Sequence, residues 1–414
     1  MPLIESRHRA LFLALFTVFA LFGMSMIIIG ATLPKILADY QWSYLTAGLV
    51  LGANAVAYFL ATFAAGYLVK HWGAKRTVVL GVLLDAVGLA FFAATPDVLT
   101  NILLAGLIGL GNGCIEISIN WATLRIDSRN TGRPMSLMHG AFAVGAIIGA
   151  LAVSALISSG LHWTGVYRGA AAIFAVLTVL MLWMPMPVTA HQPAGHEVAT
   201  RRLAAHPAYW LSFFALFVYV GVELGVSNWV AEYFVAVFAW SPAAGAMLVS
   251  LFWAGLLAGR FGVPLLYTGA RQDLVLVWLS ALATLAILLL SALGFAEPGR
   301  FTNHIGQVLV FFAGLGCSIY YPAVITLLGK CFPHAQSQAI GFAATGGGVG
   351  AFVFPFLMSA LSERWGIRVG FATYGVFAIA MTAVAVSLAV AAAKERSAAA
   401  LADAGDIELE QGSA

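Results

Sequence analysis

Charge is what this chain has least of. Aspartate, glutamate, lysine and arginine together make up 9% of its 414 residues, against about 25% in a soluble domain. A water-soluble chain of this length could not cover its surface with so few charges, which excludes a globular domain in water. Cysteine is nearly absent as well. Cys114, Cys317 and Cys331 sit in or at the end of apolar runs, without paired spacing and without metal-ligand spacing to histidine. That argues against a disulfide framework or a metal site and leaves them as small apolar residues. Also missing are a nucleotide-binding loop, a nucleophile–base arrangement and an appended soluble domain that could transmit a signal. No enzyme activity, cofactor, metal or nucleic-acid partner is expected.

Hydrophobicity is what remains, at 62% of the residues. Runs of about 20 apolar residues, each long enough to cross roughly 30 Å of hydrocarbon as a helix, recur along the whole chain. They fall near 10–33, 44–69, 77–95, 97–124, 135–160 and 166–185, then near 206–235, 243–268, 273–295, 303–330, 337–360 and 369–393. The first run is too long for a signal-peptide core and lacks a small-residue cleavage site, so it reads as a span. The expectation is an all-α, multi-pass membrane protein with twelve transmembrane helices in two six-helix bundles, residues 1–186 and 206–394. A polar linker at 187–205 joins them, and a tail at 395–414 is expected to be without structure. Its medium is the lipid bilayer, a bacterial inner membrane, and it is expected to act as a monomer.

Basic residues set the orientation. Placing the N-terminus in the cytoplasm puts fifteen lysines and arginines on that side, Arg7, Arg76 and Arg260 among them, and five on the other. The positive-inside rule selects this arrangement, with both termini cytoplasmic. The two halves also repeat each other. Gly109 and Gly111 recur as Gly314 and Gly316, 205 residues later, and Gly140, Gly145 and Gly149 recur as Gly341, Gly346 and Gly350, 201 later. Five matches at nearly one offset indicate a duplicated fold.

Ionisable groups inside a span cost several kcal/mol and mark function by default. Glu116 stands well inside the fourth run, with Asn120 one turn on and on the same helix face. A carboxyl and an amide together can bond a sugar hydroxyl, and a desolvated carboxyl can carry a proton. Glu223 lies near the middle of the seventh run, with Asn228 and Trp229 beyond it. Asn54, Gln307, Tyr320 and Tyr321 complete the candidate substrate-binding set. Asp85 reads as structural, and Glu232 as a gate or surface residue. The basic loop from Gly66 to Arg76 supplies Lys70, Lys75 and Arg76 as a candidate cytoplasmic gate whose cations pair with carboxylates or helix C-termini when that side is closed.

Twelve spans, a central linker, the half-chain repeat and the loop with Gly66, Gly73, Lys75 and Arg76 together resemble the major facilitator superfamily. The loop departs from the family pattern at Lys70, where an aspartate is usual. Within the superfamily, Gly109 to Asn120, Ser136 to Gly149, Tyr219 to Trp229 and Gly314 to Pro322 resemble the fucose/glucose/galactose:proton symporters, including their glucose/mannose-type members. That resemblance implies alternating-access transport of a hexose-type sugar with protons, and puts Glu116 at the substrate or proton site. The fucose-type members also use an aspartate in the first span. Here only Thr17, Ser25 and Thr32 are polar in that span, so the resemblance implies sugar transport more strongly than proton coupling and leaves a uniporter or a single-acid symporter open. A drug or metabolite antiporter of the same fold is the alternative, favoured by 28 phenylalanines.

Overall fold

Inside a bilayer no water is available to bond a backbone, and only a helix closes its hydrogen bonds within one segment. The computed structural model of the chain describes residues 4–127, 133–187, 203–267, 271–296, 299–332 and 335–412. Among them every apolar run is helical and there is no strand. The first half comprises α1 (Arg9–Tyr40), α2 (Tyr44–Trp72), α3 (Ala74–Phe91), α4 (Val98–Ile126), α5 (Arg133–Ser158) and α6 (Gly165–Trp183). The second comprises α7 (Pro207–Phe238), α8 (Pro242–Leu266), α9 (Gln272–Leu293), α10 (Arg300–Cys317), α11 (Tyr320–Cys331), α12 (Gln336–Trp365) and α13 (Ile367–Gly412). The tenth pass is thus made of two helices, α10 and α11, broken at Ser318–Ile319, where Pro322, four residues past Ser318, has no N–H to give that carbonyl.

Local chemistry sets the ends. Side chains of Ser43, Asp97 and Ser241 accept hydrogen bonds from the backbone N–H groups of Thr46, Thr100 and Ala244, capping α2, α4 and α8. Proline opens α7 and α8, where its missing N–H costs nothing. Eleven passes among the described residues are long and apolar enough to cross a membrane. The remaining one is α3, whose eighteen residues carry Lys75, Arg76 and Asp85. The expected linker falls largely on 188–202, outside the described residues. The backbone of α13 stays helical to Gly412 through the stretch expected to be unstructured, in keeping with the helix-forming alanines at 398–402; side chains beyond Ala393 are outside the description.

The glycine repeat is a repeat of helix crossings. A Cβ on Gly109 would strike the Asn54 carbonyl of α2, and one on Gly314 would strike the Phe252 carbonyl of α8. Gly111 lies against Gly81 of α3, and its counterpart Gly316 lies against Ala283 of α9. Gly145 meets the Ala20 carbonyl of α1, as Gly346 meets the Phe213 carbonyl of α7. These matched glycines let their helices touch equivalent neighbours in their own halves, the close packing that small residues permit in lipid, whereas Gly140 meets the Phe261 ring of the other half and Gly341 has nothing within 4 Å. The halves then meet along α1/α7, α2/α12 and α5/α8.

Candidate functional site

A small cavity lies where the halves meet. Its wall includes Met26 and Ile29 of α1, Asn54 and Tyr58 of α2, and Leu224 and Asn228 of α7. The close crossing of α1 and α7 places it there, because a Cβ on Gly30 would sit 2.6 Å from the Asn228 Cα. The space is about 20 Å³, room for about one water molecule, well below the roughly 300–1,000 Å³ of a ligand-filled pocket. The halves are in contact around this cavity, and a solute larger than water enters only when they part.

Behind the wall lies the acid. Tyr58 donates its phenolic hydrogen to Glu116 on α4, so the cavity reaches Glu116 through that ring. Asn54 donates to the Ala105 carbonyl at 2.9 Å, tying α2 to α4 and fixing the wall at that point. Asn120, one turn beyond Glu116, holds a buried amide oxygen with no hydrogen-bond partner among the described residues, and Asn228 does the same on the cavity wall. Leaving such an oxygen dry costs about 1–3 kcal/mol, and a polar solute with hydroxyl groups would satisfy it.

The second half supplies a charge pair. Arg260 of α8 stands 3.7 Å from Glu223 of α7, and its Nε donates to the Ser318 carbonyl at 3.4 Å. Tyr321 lies within electrostatic reach of Glu116, Glu223 and Arg260. Counting Arg260 as a loop cation is therefore corrected: it is inside the bundle, because apolar residues from Phe261 to Tyr267 carry α8 a further turn and a half beyond it. Fourteen basic residues then remain against five, and the charge bias keeps its sign. Tyr58 was also missed, hidden as one aromatic in an alanine-rich run.

Other expected site residues lie elsewhere. Tyr320 is fully buried within the second half, stacked on Tyr219 with centroids 5.0 Å apart and donating to the Met381 carbonyl. Gln307 lies in α10 and is not on the cavity wall. Trp229 is buried beside the cavity, edge-on to Tyr44 at 5.9 Å, with its indole N–H unpartnered among the described residues. Lys70 ends α2 while Lys75 and Arg76 open α3, and none forms an ion pair among the described residues. Asp85 is fully buried against Gly111. In α1, Ser25 donates to Asn112 at 2.8 Å, Thr32 bonds Tyr167 at 2.5 Å and Thr17 bonds the Leu13 carbonyl, so none of the three is free for solute.

The closure is uneven. Antiparallel α2 and α12 touch at Gly48–Ser359, Gly52–Phe352 and Phe59–Gly348, and the next pair in that register, Gly66 and Gly341, has nothing within 4 Å of either Cβ position. On the face away from the termini, Tyr44 of α2 donates to Glu232 of α7 at 3.1 Å, and the Leu45 N–H donates to Glu363 of α12 at 3.3 Å. On the face of the termini, Gly140 of α5 packs on Phe261 of α8.

The sequence profile of the Major Facilitator Superfamily matches residues 13–299 and 278–406. A glucose/galactose transporter of Brucella abortus is 24% identical over 358 residues, 82% of this chain and 84% of its own. An uncharacterised MFS-type transporter of Yersinia pestis is 26% identical over 329 residues, 77% of this chain and 82% of its own. Among solved structures, the nucleoside transporter NupG superposes with a TM-score of 0.72 at 15% identity, over 91% of this chain and 98% of its own. The transporter FucP in an outward conformation gives 0.65 at 20% identity, over 92% and 99%. At such identities the structures speak for the fold, and the fold agrees with the profile. The profile covers the chain from residue 13 to 406, and the relatives it matches with are transporters rather than enzymes: the chain is a membrane transporter and belongs to the Major Facilitator Superfamily.

Proposed function

We propose that the protein moves a hexose-type sugar by alternating access together with a proton, and that Glu116 carries the proton. The observation behind this reading is the pairing of Glu116 with Tyr58, whose ring forms the cavity wall beside Asn54 and Asn228. Amide and hydroxyl groups at one wall suit a polyol, and the glucose/galactose transporter relative supports that substrate class. A proton on Glu116 removes a charge whose passage through the closed state would cost several kcal/mol. The face of the termini is taken as cytoplasmic on the remaining charge bias.

The test is Glu116→Gln in purified protein reconstituted into liposomes. Sugar exchange down no gradient is expected to persist, while accumulation driven by an imposed pH gradient is lost. Accumulation equal to wild type would remove Glu116 from this role. Export of a drug or metabolite against protons is the second reading, favoured by the apolar share of the wall at Met26, Ile29 and Leu224. A thermal-shift screen separates them, because stabilisation by lipophilic cations and by no sugar would select the exporter.

A further inference from the structure

We propose that Arg260 is a positioning residue that latches the break of the tenth pass, bridging the Ser318 carbonyl to the Glu223 carboxylate, so that a change at Glu223 is passed to α11. A broken helix inside a membrane exposes carbonyls that need a donor from elsewhere in the protein. At this break α10 ends on Cys317 and α11 begins on Tyr320. The carbonyl of Ser318 takes its bond from Arg260 Nε at 3.4 Å, while another nitrogen of the same guanidinium faces Glu223 at 3.7 Å. The planar fork of arginine holds both at once, which the single ammonium of lysine does not. Gly259 makes the approach feasible, since a Cβ there would collide with the Ser318 side chain.

The first half works as an internal control. Gly109 meets Asn54 and Tyr58 as Gly314 meets Phe252 and Leu256, which aligns α2 with α8 at an offset of 198 and places Thr62 where α8 has Arg260. The glycine offset of 205 places Gly113 where the second half has Ser318. There α4 runs unbroken from Val98 to Ile126, and Thr62 spends its hydroxyl on the Phe59 carbonyl of its own helix. The halves also differ at Pro322, which matches Ile117 at the offset of 205: the proline has no N–H for the Ser318 carbonyl, and the arginine takes the bond that the proline leaves open.

Around the latch, Tyr219, Tyr321, Cys317 and His139 lie within electrostatic reach of Arg260. Tyr321 also senses Glu116, whose position it occupies in the repeat, 205 residues on. The Tyr219–Tyr320 stack pins the start of α11 to α7, the helix that carries Glu223. A solute or proton that takes Glu223 away from Arg260 therefore frees the guanidinium, and with it the joint between α10 and α11. The link to transport rests on the reading given above; the latch itself does not.

Cys317, fully buried at the break, reports on it directly. The experiment uses full-length purified protein with Cys114→Ser and Cys331→Ser, and follows alkylation of Cys317 by N-ethylmaleimide. Arg260→Gln is expected to raise the rate about tenfold, the effect of losing one charge-assisted hydrogen bond, while the cooperative thermal transition is retained. The double variant Glu223→Gln/Arg260→Gln is expected to restore the transition temperature without restoring protection, because no buried charge is left unpaired. Labelling of Arg260→Gln at the wild-type rate overturns the latch. Should that variant not fold, Arg260→Lys decides in its place, with faster labelling expected and wild-type labelling overturning the proposal. In liposomes, Arg260→Gln is expected to lose gradient-driven accumulation; intact accumulation overturns the coupling role. A wild-type protein indifferent to the pH gradient would count against proton symport alone, since Cys317 labelling still decides the latch.

Discussion

At Glu116 one phenol governs how a carboxyl is held inside the membrane. Tyr58 is its hydrogen-bond partner and at the same time part of the cavity wall. Tyr58→Phe keeps the ring and removes the donor, which leaves a buried acceptor short by about 1–3 kcal/mol. Flux in liposomes is expected to fall about tenfold, with the larger loss in gradient-driven uptake. Equal loss in exchange and uptake would give the phenol a packing role only. Glu116 was legible in the sequence, because an acid within an apolar run has no ordinary reason to be there. Tyr58 was not, because an aromatic in such a run looks like any packing residue. Arg260 was misread because a cation near the end of a run resembles a loop charge; only its contacts with Glu223 and Ser318 place it inside.

Along the elements, glycine sets how near two helices come. Gly145 and Gly346 are equivalent positions, each pressed on the backbone carbonyl of the first helix in its half. Gly145→Val and Gly346→Val must push those helices apart, which costs about 1–3 kcal/mol or more per site. Both variants are expected to lower the thermal transition of the purified protein by several degrees, about equally. Gly169→Ala, where nothing lies within 4 Å of the Cβ position, is the matched control and is expected to leave it unchanged. A drop in one half and none in the other would show that the crossings are not equivalent. The repeat was visible beforehand because glycine spacing survives as a linear offset. The break in the tenth pass is written locally too, in Pro322, whose missing N–H leaves the Ser318 carbonyl four residues before it without a helical partner; only the packing decides that Arg260 takes that carbonyl.

Across the whole molecule, the face away from the termini is sealed by bonds between halves. Tyr44 to Glu232 and the Leu45 N–H to Glu363 join α2 of the first half to α7 and α12 of the second. Each is worth about 0.5–3 kcal/mol. The combined variant Tyr44→Phe/Glu363→Leu, which removes the donor of one bond and the acceptor of the other, is expected to shift the population toward opening on that face by about tenfold or more. A single cysteine in place of Leu51, a buried residue of the cavity wall, reads the shift as faster labelling from that side. Unchanged labelling would assign the seal to side-chain packing at Gly48–Ser359 and Gly52–Phe352 instead.

The sequence by itself determined the number of passes, their division into two halves and the repeated glycine seams. These follow from hydropathy and spacing along one chain, because a bilayer tests each segment for apolar length before any segment meets another. Tertiary structure alone decided which polar groups work together. Tyr58 meets Glu116 across 58 residues and Tyr44 meets Glu232 across 188, while Arg260 joins residues 223 and 318. No local pattern encodes such meetings, since each depends on how closely the glycine-lined helices approach and on which residues then lack water to bond. The same packing removed Tyr320 and the hydroxyls of α1 from the site and brought Arg260 to it.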